Sequence, residues 1–212
     1  MDLIKEVFFK ANYIKMNKSN ITIFESYLRI SKNFKKKIIG ILANPNLKKE
    51  YSHKINGRWE NQYLDIDLMP EIKVILDFAC QSGKKMIHES LVIPYKQLGF
   101  KNNEFWFNIS HPGDSTGWHD HKEYAKLSGV FYIAIPKDSG DILFRKKNGN
   151  VYEEWSIQSE EDKIILFNSD LEHCVEKNDG DGKRISLAFN LYTLPIKLSE
   201  SLESYSSNKF YS

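Results

Sequence analysis

The feature that most constrains the fold of this chain is a change of pattern near residue 103. Beyond it, short β-prone runs follow one another: Glu104–Ile109, Gly129–Ile135, Asp141–Phe144, Val151–Ile157, Lys163–Phe167, His173–Lys177 and Arg184–Tyr192. Turn signals separate them, among them Lys137-Asp138-Ser139-Gly140, Lys147-Asn148-Gly149-Asn150 and Asn178-Asp179-Gly180-Asp181-Gly182. Many short strands punctuated in this way predict a sandwich or barrel.

The chain before that point reads as mixed, with several helices. Phe34, Ile38, Ile41 and Leu42 recur at helical spacing within Ser31 to Leu42. Pro70 suits a first helical turn and Glu71 the positive end of the helix dipole. Ile72, Ile75, Leu76 and Ala79 then form an apolar stripe, with Gly83 as the expected stop. Helices first and strands second predict an α+β architecture in which the helices brace one sheet from outside. The expected organisation is one integrated domain. It has a helical or mixed support region over 1–100, a β core over 101–198, and a loosely held tail over 199–212.

A length of 212 residues suits one domain and buries a sizeable core. The net charge of +2 argues against nucleic acid as a charge-driven partner. The basic run from Lys32 to Lys37 reads as a solvated helix face. Cys80 and Cys174 do not make a disulfide framework. The opening Met-Asp-Leu-Ile-Lys-Glu lacks the regions of a signal peptide, and no stretch is apolar enough to span a bilayer. A cytoplasmic protein with no membrane partner is expected, and a homodimer is compatible with the sequence.

Side chains alternate along a strand. In Arg184–Tyr192, Ile185, Leu187, Phe189 and Leu191 share an apolar face, while Arg184, Ser186, Ala188 and Asn190 share a small, polar one. In Glu104–Ile109, Phe105, Phe107 and Ile109 oppose Glu104, Trp106 and Asn108. The polar faces are expected to line a pocket, since Ala188 is a poor solvent-facing choice.

The chemistry concentrates in Trp118-His119-Asp120-His121-Lys122-Glu123 and a lone His173. Ligands two residues apart on a strand end point to one side, and a third can come from a distant strand. Divalent iron suits such a three-ligand set with open positions left over. His119 and His121 share a face, and so do His121 and Glu123, so the near pair has two readings. His111 sits in a turn and is a weaker candidate, and His53 and His88 read as structural or surface residues. Cys174 would point away from the metal as a small buried residue. Arg184 could grip a carboxylate through two parallel hydrogen bonds, with the Ser186 hydroxyl on the same face. The competing reading is a surface ion pair of Arg184 with Asp179 or Asp181.

Taken in order, these stretches resemble the 2-oxoglutarate- and iron(II)-dependent oxygenases. The resemblance rests on Asn56-Gly57-Arg58-Trp59, Trp106-Phe107-Asn108, His119-Asp120-His121 and Ser128-Gly129-Val130-Phe131-Tyr132. It continues through Ser139-Gly140-Asp141-Ile142-Leu143-Phe144, Leu166 to His173, and Arg184 to Asn190. It covers residues 55–193 and departs from the usual His-x-Asp spelling. It implies a double-stranded β-helix, a jelly-roll or cupin-like fold, with iron(II) at one mouth and 2-oxoglutarate and O2 as cosubstrates. It implies His119, His121 and His173 as metal ligands and Arg184 with Ser186 as the 2-oxoglutarate anchor. Asn108, Tyr132 and Asn190 would contact the cosubstrate or orient a ligand. Trp106, Trp118 and the loop His111–Gly117 are candidates for shaping the substrate mouth, with Gly113 and Gly117 letting the loop move. The implied reaction is hydroxylation of an unactivated C–H bond in a small molecule, amino acid or peptide side chain. Two alternatives keep the fold: a three-histidine, cupin-like dioxygenase without 2-oxoglutarate, and a non-enzymatic metal-binding module.

Overall fold

A computed structural model of the chain describes residues 4–15, 21–55, 58–121, 125–194 and 196, with the backbone alone over 4–15, 53–55 and 58–60. The N-terminal elements are β1 (Ile4–Lys15), β2 (Thr22–Ile30), helix α1 (Lys32–Ala43), β3 (Glu50–Ile55) and β4 (Arg58–Tyr63). Helix α2 (Lys73–Ile87) and the short β5 (Leu91–Val92) follow. The remaining strands are β6 (Phe105–Ser110), β7 (Thr116–His119), β8 (Leu127–Ala134), β9 (Ile142–Asn148) and β10 (Val151–Ile157). They continue as β11 (Lys163–Asn168), β12 (Glu172–Val175) and β13 (Arg184–Thr193). The expected tail over 199–212 lies outside the described residues.

The strands form two sheets. The larger runs β1-β2-β11-β8-β13-β6-β4-β3, with β5 added against β13, and the smaller runs β10-β9-β12-β7. All the pairings are antiparallel. The strand-rich second half is as the sequence predicts. The sequence reading did not find β1 to β4 as strands. They widen the large sheet, and β4 reaches the cavity because Asn61 pairs with Asn108 of β6.

Two apolar layers hold the fold. Phe34, Ile38, Leu42, Ile75, Leu76 and Ala79 of the helices pack on Phe105, Phe107, Phe131, Leu187, Phe189 and Leu191. This is the expected bracing of one sheet by helices, and it uses the apolar faces of β6 and β13. Each of the Leu, Ile and Phe side chains, fully buried, contributes about 1.5–3 kcal/mol. The second layer lies between the sheets, where Val130, Tyr132, Ile165 and Phe167 meet Ile142, Phe144 and Ile157.

Ser31 caps α1 by accepting from the Phe34 N–H at 3.2 Å, which satisfies one of the unpaired first-turn donors. Gly83 is not the stop of the second helix. A single 3-10 turn over Pro70–Ile72 leads into α2, which runs through Gly83 and ends at His88 in the left-handed conformation. The glycine serves packing: a Cβ there would lie 2.6 Å from Leu91 Cδ1, so its absence lets β5 approach the helix.

Candidate metal centre

The smaller sheet carries two of the imidazoles as a cross-strand pair. His119 at the end of β7 lies opposite His173 in β12, and directly opposed antiparallel residues share a face. Their rings sit 4.2 Å apart between centroids. His121 lies just past β7, where its N–H donates to the Ser169 carbonyl at 2.8 Å. Its ring centroid is 5.4 Å from each of the other two. One ring nitrogen from each of His119, His121 and His173 falls within 4.8 Å of the others. Glu123, the alternative near ligand, lies outside the described residues.

The tautomers follow from the backbone. His119 Nδ1 is 2.8 Å from the Gly117 carbonyl and His173 Nδ1 is 3.0 Å from the Leu171 carbonyl. A carbonyl only accepts, so both Nδ1 atoms carry the proton and both Nε2 atoms are left as lone-pair donors. Burial holds both imidazoles neutral. It lowers His119, while His173 is pushed well down by burial and then by His119 and His121 beside it. Two buried, neutral imidazoles with a third beside them fit a borderline divalent metal such as iron(II).

The large sheet supplies the opposite wall of a cavity of about 770 Å³, a volume that includes its solvent-open part. Arg184, Ser186, Ala188 and Asn190 all line it, as do Trp106 and Asn108. The alternation in β6 and β13 therefore does divide core from cavity. Arg184 is 5% exposed, and its Nη1 donates to the carbonyls of Ser139 (2.6 Å) and Gly140 (3.2 Å). These carbonyls orient the guanidinium. Asp179, one of the two alternative partners, pairs with Lys177 at 2.6 Å. The Gly140 carbonyl is brought near by a tight turn: Gly140 has φ +84, and a Cβ there would meet the Glu176 carbonyl at 2.7 Å.

Two buried polar atoms on this wall lack a hydrogen-bond partner among the described residues: Asn108 Oδ1 and Ser110 Oγ. Ser110 is the cross-strand neighbour of Arg184. An unpaired buried polar atom is costly, so these atoms beside a buried guanidinium fit a ligand with its own donors and acceptors, including a carboxylate. Tyr132 faces the same cavity, its phenol pushed up to about 12 by burial.

Not every expected residue reaches the cavity. Trp118 points to the other side of β7 from His119 and stacks on the Arg145 guanidinium, 4.4 Å from the ring centroid. Strand alternation sends it there, and Trp106 alone of the two tryptophans forms cavity wall, 6.0 Å from the His121 ring. The His111–Gly117 loop is tied down: Gly113 N–H donates to the Asn178 carbonyl, and Asn178 N–H to the Asp114 carbonyl. His111 and His88 are exposed, and the His53 side chain lies outside the described part. Cys174 is buried, with its thiol pushed up to about 11 by burial, and it is not part of the cavity wall. Thr116, within the loop expected at the substrate mouth, lines the cavity, whereas Asn61, Ser110 and Ser128 are wall residues that the sequence does not disclose. Ser110 stands one residue past the expected end of its strand. Asn61 carried no signal at all.

The sequence matches a family described as "Putative 2OG-Fe(II) oxygenase" over residues 104–190, the stretch from β6 to β13. A search of curated proteins returned no match. Solved structures share the fold at low identity. The apoform of EctD from S. alaskensis is 12% identical, with a TM-score of 0.63, over 85% of this chain and 76% of that one. HygX from Streptomyces hygroscopicus, with nickel and 2-oxoglutarate bound, is 9% identical with a TM-score of 0.57, over 82% and 83%. The carbocyclase SnoK from nogalamycin biosynthesis, described as non-haem and α-ketoglutarate dependent, is 10% identical with a TM-score of 0.59, over 90% and 89%. The sequence match over β6 to β13 and the shared double-stranded β-helix fold make the chain similar to the 2OG-Fe(II) oxygenases.

Proposed function

We propose that the chain is an iron(II)- and 2-oxoglutarate-dependent dioxygenase that hydroxylates a C–H bond of a small molecule, an amino acid or a peptide side chain. The observation that carries this reading is the facing of two groups across one cavity. Three imidazoles stand on one wall, His119 and His173 held neutral by burial, and a buried, carbonyl-oriented guanidinium stands on the other.

His119, His121 and His173 hold the iron through their unprotonated ring nitrogens. Arg184 and Ser186 anchor the distal carboxylate of 2-oxoglutarate, and Tyr132, Asn108 and Asn190 line its path. When bound, iron and 2-oxoglutarate supply oxidation by O2 coupled to loss of CO2. The protein supplies placement and dryness. Trp106 covers the His121 side, while Phe144 and Phe167 flank His173 at 6.2 and 4.7 Å between centroids and keep water from its ring. Hydroxylation is the simplest outcome of such chemistry. Among the similar structures, however, one is a carbocyclase and one an epimerase, so the fold alone does not select it.

Anaerobic addition of iron(II) and 2-oxoglutarate tests the reading. A charge-transfer absorption should appear only with both, and should vanish in Arg184→Ala while iron still binds. Iron binding without 2-oxoglutarate binding in the native protein would sink it in favour of a three-histidine dioxygenase. Succinate formation that rises with a candidate substrate, with the oxidised product identified by mass, then tests hydroxylation itself.

A further inference from the structure

The wall opposite the histidines hides a carboxyl group that the proposed chemistry does not use. Glu104 precedes β6 and is 8% exposed. Asn190 Nδ2 donates to Glu104 Oε2 at 3.1 Å. Ser128 Oγ donates to Asn190 Oδ1 at 2.9 Å. Ser128 and Asn190, 3% and 2% exposed, are cavity-wall residues, and Glu104 stands behind them. The chain of bonds crosses from β6 through β13 to β8.

Its direction is set at the hidden end. An ionised carboxylate only accepts, so it holds the amide nitrogen of Asn190 and turns the amide oxygen toward Ser128. Ser128 then spends its proton inward and shows lone pairs to the cavity. A protonated carboxyl donates instead. The amide turns over: its oxygen accepts a hydrogen bond from the carboxyl O–H, its nitrogen donates to Ser128 Oγ, and the serine O–H turns toward the cavity. No atom is exchanged except the proton that Glu104 takes from solvent.

We propose that Glu104 sets, through Asn190, whether Ser128 offers the cavity a hydrogen-bond acceptor or a donor. Glu104 and Asn190 are positioning residues, and Ser128 is the specificity-determining contact. With the carboxylate ionised, this wall favours a ligand hydroxyl, amine or amide N–H. With it protonated, the wall favours a carbonyl or carboxylate oxygen. The titratable groups that face Glu104 among the described residues are phenols: Tyr192 from β13, which hydrogen-bonds it, and Tyr63 at the end of β4. Burial pushes Glu104 up to about 7 against the hydrogen bonds from Asn190 and Tyr192, so both directions are populated near neutrality.

The test uses the full-length, metal-free protein and side-chain amide NMR. The Asn190 signal is identified by its loss in Asn190→Ser and followed between about pH 5.5 and 8.5. It should move with a midpoint near 7, and the movement should be lost in Glu104→Gln, which keeps the shape and removes the charge. An Asn190 signal that does not move, or that titrates unchanged in Glu104→Gln, overturns the proposal. A carbon-detected titration of the Glu104 carboxyl in the native protein needs no variant, and a midpoint in the ordinary carboxylate range overturns it equally. Neither iron nor 2-oxoglutarate is present, so failure here leaves the proposed oxygenase function standing, and the reverse also holds.

Discussion

The two walls of the cavity fix their polar groups over different distances along the chain. On the small sheet, His119 and His173 each give their Nδ1 proton to the carbonyl two residues earlier. On the large sheet, Arg184 is oriented by carbonyls 45 and 44 residues away, Asn108 by Asn61 at 47, and Asn190 by Glu104 at 86. The ring orientation of His119 and His173 is thus set by local backbone, while His121, tied to the Ser169 carbonyl, and the anchoring wall are set by tertiary structure. A local device survives changes elsewhere in the fold. A long-range one depends on loops and strands that must all arrive together.

The largest expected effect breaks the local wall. His119→Ala should reduce iron(II) binding below detection in a metal titration, because two imidazoles cannot make the facial set. Glu123→Ala should leave iron binding intact. The reverse result would transfer the near ligand to Glu123 and give the iron a carboxylate. Next in size is Arg184→Ala. Charge-assisted bonds to a carboxylate are worth about 1.5–3 kcal/mol, so 2-oxoglutarate affinity should fall about 100-fold. Iron affinity should stay within about three-fold, since the guanidinium hydrogen-bonds carbonyls of a different loop from those that orient the histidines. Arg184→Lys should recover only part of the loss, for an ammonium lacks the planar fork. Equal losses of iron and 2-oxoglutarate in Arg184→Ala would mean that the walls are not independent.

The walls should also respond oppositely to pH in the metal-free protein. His119 and His173 have lowered values in the folded state. Unfolded imidazoles therefore take protons that folded ones refuse, and stability is lost as pH falls below the ordinary value of 6.5. Glu104 is raised from 4.5 to about 7. Its contribution is fully present below 4.5 and is lost as pH rises through 7. The difference corresponds to on the order of 3 kcal/mol. Denaturant unfolding across pH should show an acid limb and an alkaline limb, and Glu104→Gln should flatten the alkaline one alone. An alkaline limb unchanged in that variant would separate the stability effect from Glu104.

The same difference in range explains what the sequence discloses. His119-Asp120-His121 and His173 are legible because the spacing that makes them ligands lies within one strand end and one strand. The alternating faces of β6 and β13 are legible for the same reason: a period of two is local. Asn61 is not, because it enters the cavity only through the pairing of β4 with β6, and pairing partners leave no local mark. Glu104 begins the predicted strand, yet its burial is decided by β13 and β4. Gly83 misleads as a helix end because its reason for being glycine is Leu91, which belongs to another element.

Asn178 provides the finest test of the contrast. The sequence shows it only as the start of a turn, but it is fully buried. Its Nδ2 donates to the Ser110 carbonyl at 3.0 Å and to the Gly182 carbonyl at 2.9 Å, and its Oδ1 accepts from Gly180 N–H at 3.1 Å. Ser110 is the cross-strand neighbour of Arg184, and Gly182 lies two residues before it. Asn178→Ala leaves two carbonyls and an N–H with less than they had, at about 1–3 kcal/mol for each buried group left unpaired. Water reaching the loosened turn recovers part of that. The remaining displacement falls on the start of β13, where Arg184 sits, so 2-oxoglutarate affinity should weaken about 10-fold, or about 1.4 kcal/mol. The backbone contacts of Asn178 with Gly113 and Asp114 do not need its side chain. The β7 loop should therefore stay tied, and iron affinity should change less than about three-fold. Parallel titrations of iron(II) and 2-oxoglutarate in this variant decide it, and a loss of iron binding to match would show that the metal wall leans on the same long-range ties.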